Sequence, residues 1–434
     1  MKPLLLRSRK DAFEIVAPTT VLDQNLIGDN SGNLIFLEAA QRILTTREQT
    51  VTPDRFVIDP AAADAINERY AAYVIPLANA FRPSYEANLI RLTQLVERLR
   101  IPVVVLGVGA QATVGYDASR LAGMEPSVRQ FVRAVLDRGP SIGVRGAFTA
   151  EYLERLGFRD VEVIGCPSLF LYGDRLRVTK RAPDLSAAAP IAINVSPYVA
   201  AMGAVVRHHV ARYPELTYVA QDLATLERLL WGDRGAMPAD APDDGIPLHT
   251  SHPLYVRNRV RLYVDPWPWI DDLRAMDFSF GTRIHGNIAA LLAGTPAVVL
   301  AHDSRTLEIA RHFDIPHRIL RELPAGLDAA DLYAAADFDA FNAGLPARFA
   351  TFAGYLARHG LGHAFADGED PDAFLQRLAA TDFPPAVTTA DRQQPAGLRG
   401  RIGALRRRGR RAIRSQRVRA WRAAVLRHVV VRRR

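Results

Sequence analysis

Short β-rich runs that stop at glycine or proline, each joined to a longer segment of helical period, recur along most of this chain. That alternation leaves few folds open. Val103-Val104-Val105-Leu106 ends at Gly107 and Gly109; before it, Leu92, Leu95, Val96 and Leu99 mark one face of a helix that Pro102 closes. Phe131, Val132, Val135 and Leu136 form the next helical stripe, broken by Gly139-Pro140, and Ser141–Arg145 then reads as a strand. A helix from Thr149 to Leu156 stops at Gly157, and Val161–Gly165 is a further strand. Strand, helix and strand in series imply a parallel sheet with helices on both faces.

The rhythm breaks at Arg175–Pro190, where basic residues, prolines and an alanine run read as a linker, and it then restarts. Pro190–Val195, Leu216–Ala220, Leu262–Asp265, Asp277–Gly281 and Ala297–Leu300 read as five strands of a second unit. Residues 232–260 look like a surface insertion, and Ala340–Gly360 is a helical segment able to cross back and close the body. A chain of 434 residues exceeds one ordinary core. The division is therefore residues 1–178 as a first α/β domain, 179–189 as linker, 190–375 as a second and 392–434 as an arginine-rich tail. Doubly wound sheets bind ligands beyond the carboxyl ends of their strands. The site is expected in a cleft between the domains, among the loops after Gly109, Arg145, Gly281 and Leu300.

Charge separates the tail from the body. Residues 392–434 hold 16 arginines and no acid, so the net +9 of the whole chain leaves −7 for the rest. Leu398, Ile402, Leu405, Val418, Trp421, Val425 and Val429 recur at helical spacing among those arginines. A basic amphipathic helix suits an anionic membrane surface; a disordered solubilising tail and, less suited, nucleic acid are the other readings. A single cysteine, Cys166, excludes an intrachain disulfide and reads as a small buried residue. Three leucines after Met1-Lys2-Pro3 are too short for a signal-peptide core, and no apolar run is long enough to span a bilayer. The expected placement is cytoplasmic, with the tail able to hold the protein at the inner face of the membrane.

One segment carries most of the chemistry. Phe278–Gly281 reads as a strand, Gly281-Thr282-Arg283 as a turn, and Asn287–Ala293 as a helix that stops at Gly294 before Pro296. Arg283 and His285 thus fall at a helix N-terminus, where free N–H groups and the helix dipole favour an anion. Arg283 adds a fork suited to phosphate or carboxylate, and His285 a group that exchanges protons near neutral pH. The next strand ends in His302-Asp303-Ser304-Arg305, a second set of polar groups at an adjacent strand end.

Arg283-Ile284-His285-Gly286, then Ala293-Gly294-Thr295-Pro296, then Asp303-Ser304-Arg305-Thr306-Leu307-Glu308, resembles the C-terminal signature of polysaccharide pyruvyl transferases. Gly107–Gln111, Ser141–Arg145, Gly165–Leu169 and Gly28–Leu34 resemble that family's earlier segments in the same order, so the likeness runs from about residue 25 to about 365. It implies two Rossmann-like domains, similar to GT-B glycosyltransferases, around a deep interdomain cleft. It implies phosphoenolpyruvate as donor and no further cofactor. The reaction would place pyruvate as a ketal on hydroxyls of a sugar in an exopolysaccharide or its lipid-linked precursor. Arg145, Arg283 and Arg305 would bind the donor. His285 would be catalytic, as acid or base. Gln111, Asp303, Glu308 and Asn33 are candidates for contacting the acceptor or orienting the cations. Arg305 stands where some relatives carry lysine. The alternatives are a GT-B glycosyltransferase using a nucleotide-sugar and a non-catalytic anion-binding protein of the same fold.

Other features read more plainly. Gly107–Gln111 lacks the full dinucleotide fingerprint and the phosphate-loop lysine. No metal is expected, because the histidines and carboxylates lack ligand spacing. Trp267 and Trp269 read as core, with a sugar-facing platform as the alternative, and His208-His209 as a solvated helix face. The acceptor sugar and the oligomeric state are not written in the sequence.

Overall fold

The computed structural model describes residues 2–233, 245–324 and 326–391. The arginine-rich tail and residues 234–244 of the loop-rich stretch 232–260 lie outside those residues, and with them the membrane reading of the tail. No helix among the described residues is long and apolar enough to cross a membrane.

The first sheet is parallel, with order β2 (Val51–Pro53), β1 (Leu4–Leu6), β3 (Tyr73–Pro76), β4 (Val103–Leu106). A parallel pair, β5 (Ile142–Val144) and β6 (Val161–Val163), continues it, because Val108 bridges Val144 and Arg145 N donates to Val108 O. The second sheet is also parallel, with six strands in the order β12 (His317–Ile319), β11 (Ala297–Ala301), β10 (Phe278–Gly281), β7 (Ile191–Asn194), β8 (Leu216–Ala220), β9 (Val260–Leu262). Counted from β7, that is the 3-2-1-4-5-6 order of the Rossmann fold, read in reverse, and the order switches direction between β7 and β10. The central strands are fully buried, as expected for a parallel sheet covered on both faces.

The two Rossmann-like domains share one hydrophobic core on their facing side, running from Leu4, Ile35 and Leu37 through Phe170 to Ile193, Ile288 and Leu300. A second core fills the outer face of the first sheet. The helix Gly32–Leu44 packs against the helix Ile284–Leu292 of the other domain. Lys10 and Asp265 form a buried ion pair of 2.6 Å across the same boundary. The helix Asp339–Arg358 crosses back onto the first domain. Its Tyr355 hydroxyl donates to Val105 O (2.7 Å) and accepts from Gly143 N (3.1 Å), and His359, just past the helix end, reaches Ser141 O.

Two expectations need correction. The third strand of the second sheet is Val260–Leu262 rather than Leu262–Asp265. Asp265 instead caps the helix Pro266–Leu273, its carboxylate accepting from Trp267 N, and that helix carries Trp269 into the core, stacked on Tyr263. His208-His209 is not a solvated face. His209 is fully buried against Phe280 and Tyr213, and burial pushes its imidazole down to about 4.

Candidate functional site

Where the second sheet switches direction, the ends of β7 and β10 form a stitched turn. Asn194 Oδ1 accepts from Arg283 N (2.8 Å), Asn194 Nδ2 donates to Asn287 Oδ1 (2.9 Å), and Asn287 Nδ2 donates to Gly281 O (3.0 Å). Gly281 has φ +146°, and a Cβ there would collide with the Asn194 carbonyl, so only glycine lets the turn pass. These bonds fix Arg283 as the residue before the helix Ile284–Leu292 and set His285 in its first turn.

His285 is 6% exposed. Its Nε2 lies 3.7 Å from Cys166 Sγ, and its ring rests on Phe36, 5.6 Å between centroids. Gly32, at the start of the facing helix, leaves room for it: a Cβ there would lie 2.7 Å from His285 Cβ. Burial first, and Arg145 second, push the His285 imidazole down to about 4, so it is neutral near pH 7. Around it the carboxamide of Gln221 and the hydroxyls of Ser31 and Ser196 are buried without a hydrogen-bond partner among the described residues. Cys166 is buried, as expected, and burial raises its thiol.

A cationic group stands beside this. Arg283 lies 5.8 Å from the ring centre of Tyr198, and its Nε reaches Val195 O at 3.4 Å. Arg305 donates through Nη2 to the Tyr198 hydroxyl (3.0 Å) and through Nε to Asp303 Oδ2 (2.5 Å). Against the upward push of burial, Arg305 and His302 hold the Asp303 carboxyl below its usual range. Asp303 also caps the helix Ser304–His312, accepting from Arg305 N and Thr306 N. Burial lowers the pKa of His302; its Nε2 lies 3.7 Å from Asp303 Oδ2, and neither ring nitrogen has a hydrogen-bond partner among the described residues. Arg82 faces this group from the first domain; neither it nor Arg283 has a carboxylate within ion-pair distance among the described residues.

Arg145 stands apart from the other two arginines expected to bind a donor. It is 2% exposed, and all three guanidinium nitrogens are engaged: Nε with Glu308 Oε2 (2.8 Å), Nη1 with Ala78 O (2.6 Å) and Nη2 with Ala110 O (2.8 Å). Glu308 also accepts from Thr149 N (2.7 Å) and Thr149 Oγ1 (3.1 Å). Ser304 adds two backbone-directed bonds to Ala112. Arg145 and Glu308 thus tie the domains together. Gly109 serves the tie, since a Cβ there would strike the Arg145 guanidinium. Gln111 accepts from Asn79 Nδ2 at 2.9 Å, beside Arg82. Asn33 closes its own loop, donating to Ile27 O and Gly28 O, and stands away from the cation group.

A family model for polysaccharide pyruvyl transferases matches residues 30–304. The chain belongs to that family. The matched span includes Asn33, Gln111, Arg145, Arg283, His285 and Asp303, and ends one residue before Arg305. No match was found among curated proteins. Among solved structures, a putative UDP-N-acetylglucosamine 2-epimerase from Listeria monocytogenes aligns with a TM-score of 0.40 and 11% identity, covering 89% of this chain and 99% of that one. S. aureus MnaA with UDP gives 0.39 and 11%, with the same coverage. The uncharacterized protein KP1_0663 from Klebsiella pneumoniae gives 0.36 and 10%, covering 72% of this chain and 88% of that one. Likenesses this distant say nothing about what this pyruvyl transferase family member binds.

Sequence reading set Arg283 and His285 after one strand and Asp303 and Arg305 after the next, and these residues follow β10 and β11. It missed Arg82, Tyr198, Asn194 and Gln221. Asn194 ends β7 and Tyr198 follows it, and both carry a signal that was available, since the first strand of a Rossmann-like unit ends at its ligand site. Arg82 carried none, because its neighbours Arg145 and Arg305 lie far along the chain.

Proposed function

We propose that this protein transfers a pyruvyl group from phosphoenolpyruvate to two hydroxyls of a sugar, in a surface polysaccharide or its lipid-linked precursor, and closes a cyclic ketal. The observation that carries the reading is a buried, neutral histidine beside a group of arginines in which Arg283 has no carboxylate within ion-pair distance among the described residues, in a chain of this family. Phosphoenolpyruvate bears a phosphate and a carboxylate, and Arg283 and Arg305 offer charge-assisted bonds to both. Arg145 shapes the site through Glu308 rather than meeting the donor.

The reaction adds one sugar hydroxyl to C2 of the donor while the methylene carbon takes a proton and becomes a methyl group. The C2–O bond to phosphate then breaks, and the second hydroxyl attacks C2. Of the two hydroxyl protons, one ends on the methyl group and the other leaves on phosphate. A neutral imidazole suits the first step, because it accepts a proton. His285 takes the proton of the attacking hydroxyl and passes it to the methylene carbon. Arg283 and Arg305 stabilise the departing phosphate.

Calorimetric titration with phosphoenolpyruvate, beside a nucleotide-sugar, tests this. Saturable binding of phosphoenolpyruvate that falls in Arg283→Ala and persists in His285→Ala, with His285→Ala inactive on a sugar acceptor, is the expected result. Binding of the nucleotide-sugar alone would sink the proposal.

A further inference from the structure

The domains meet at a cluster of arginines that the carboxylates among the described residues balance only in part. Arg82 precedes the short turn Pro83–Tyr85 at the edge of the first domain. Its Nη1 donates to Asn79 O (3.0 Å), its Nε donates to Ser84 Oγ (3.1 Å), and its guanidinium lies 5.5 Å from the Tyr85 ring centre. Asn79 is held in turn by Gln111, so Arg82 stands on a fixed support rather than a free stem. That support adjoins the second domain. Gln111 N donates to Phe81 O, Ala112 N donates to Ser304 Oγ (2.7 Å), and Arg305 follows Ser304. Burial first, and then the nearby Arg305 and Arg145, lower the pKa of Arg82, against an upward push from Tyr85 and Tyr198. Arg145 is answered by Glu308 and Arg305 by Asp303, whereas Arg82 and Arg283 have no acid in reach among the described residues.

We infer that Arg82 is the first domain's half of the donor site: with Arg283 and Arg305 of the second domain it clamps one small molecule bearing both a phosphate and a carboxylate. Two arginines without acids match two anionic ends. An anion bridging them relieves the repulsion that the empty arrangement carries. Donor binding then joins the domains at a third place, beside the Arg145–Glu308 and Lys10–Asp265 ties. This rests on the donor reading above, and its test separates the two.

Wild type, Arg82→Gln, Arg82→Lys and the surface-charge control Arg100→Gln are titrated with phosphoenolpyruvate and, separately, with inorganic phosphate. Arg100 is exposed and pairs with Asp64 away from the site. Loss of one charge-assisted contact weakens binding about tenfold to a hundredfold. Arg82→Gln is expected to weaken phosphoenolpyruvate by that much, Arg82→Lys by less because the charge remains without the fork, and Arg100→Gln not at all. Affinity in both Arg82 variants within twofold of wild type overturns the inference, as does an equal loss in Arg100→Gln. If Arg82→Gln does not fold, equal affinity in Arg82→Lys alone overturns it. A wild type that binds phosphate, more weakly in Arg82→Gln, yet ignores phosphoenolpyruvate would remove the donor reading and keep the anion clamp. Silence of the wild type to both would remove both.

Discussion

Glu308→Ala should loosen the molecule at the joint between its domains. Glu308 sits on the helix Ser304–His312 of the second domain and receives three donors from the first: Arg145 Nε, Thr149 N and Thr149 Oγ1. Both members of the ion pair are 2% exposed, so water does not replace the carboxylate when it is removed. Arg145 keeps its bonds to Ala78 O and Ala110 O but loses the one carboxylate it pairs with among the described residues. Breaking one side of a buried pair costs about 3–5 kcal/mol, and the orphaned Thr149 N adds about 1 kcal/mol or more. Urea unfolding should therefore show a loss of about 4–6 kcal/mol, and small-angle scattering should show a larger radius of gyration as the domains part. A double-mutant cycle isolates the cause. Arg145→Met with Glu308→Leu removes both charges, and the pair should lose at least about 1.5 kcal/mol less than the two single changes added together. Strict additivity, or a loss below about 1 kcal/mol in Glu308→Ala, would refute the tie as described.

Two further outcomes follow from the charges of the site and the core. His209, His285 and His312 are all pushed by burial from the ordinary 6.5 to about 4. The folded state therefore keeps them neutral while the unfolded chain protonates them between pH 6.5 and 4. Their contribution is complete above pH 6.5 and lost as pH falls, at most roughly 3 kcal/mol each; His312→Gln should flatten the fall in urea stability between pH 7 and 5, and a slope parallel to wild type would contradict the burial argument. Asp303→Asn keeps acceptors for Arg305 N and Thr306 N, so the helix cap survives, but it removes the charge that half-neutralises Arg305. Inorganic phosphate should bind about fivefold more tightly, equivalent to about 1 kcal/mol; weaker binding in calorimetry would mean that Asp303 holds Arg305 in its working position.

The parts of the fold that sequence reading reached share a physical cause. β4, β7, β8, β10 and β11 are buried on both faces, so each is a mostly apolar run, and a glycine or polar turn must follow where the chain reaches the ligand edge. β2 and β12 are edge strands of three residues with half-exposed patterns, and nothing local separates them from loops. β1 is fully buried but only three leucines long, which reads as part of a chain terminus until Val51–Pro53 and Tyr73–Val74 are seen beside it.

The arginines show where local reading ends. Residue type and strand-end position say that Arg145, Arg283 and Arg305 seek carboxylate or phosphate. A glutamate of the protein and the carboxylate of a donor are the same chemistry to a guanidinium, so no motif can say which of them an arginine will meet. The fold decides it. Glu308, 163 residues away, is delivered to Arg145 and occupies it. Arg283 is left facing Tyr198 with no acid, and Arg82, which belongs to no motif, is set opposite on a support of Asn79 and Gln111. What marks an anion site here is therefore charge that remains unanswered after folding. It can be counted only once every acid has been assigned to its partner.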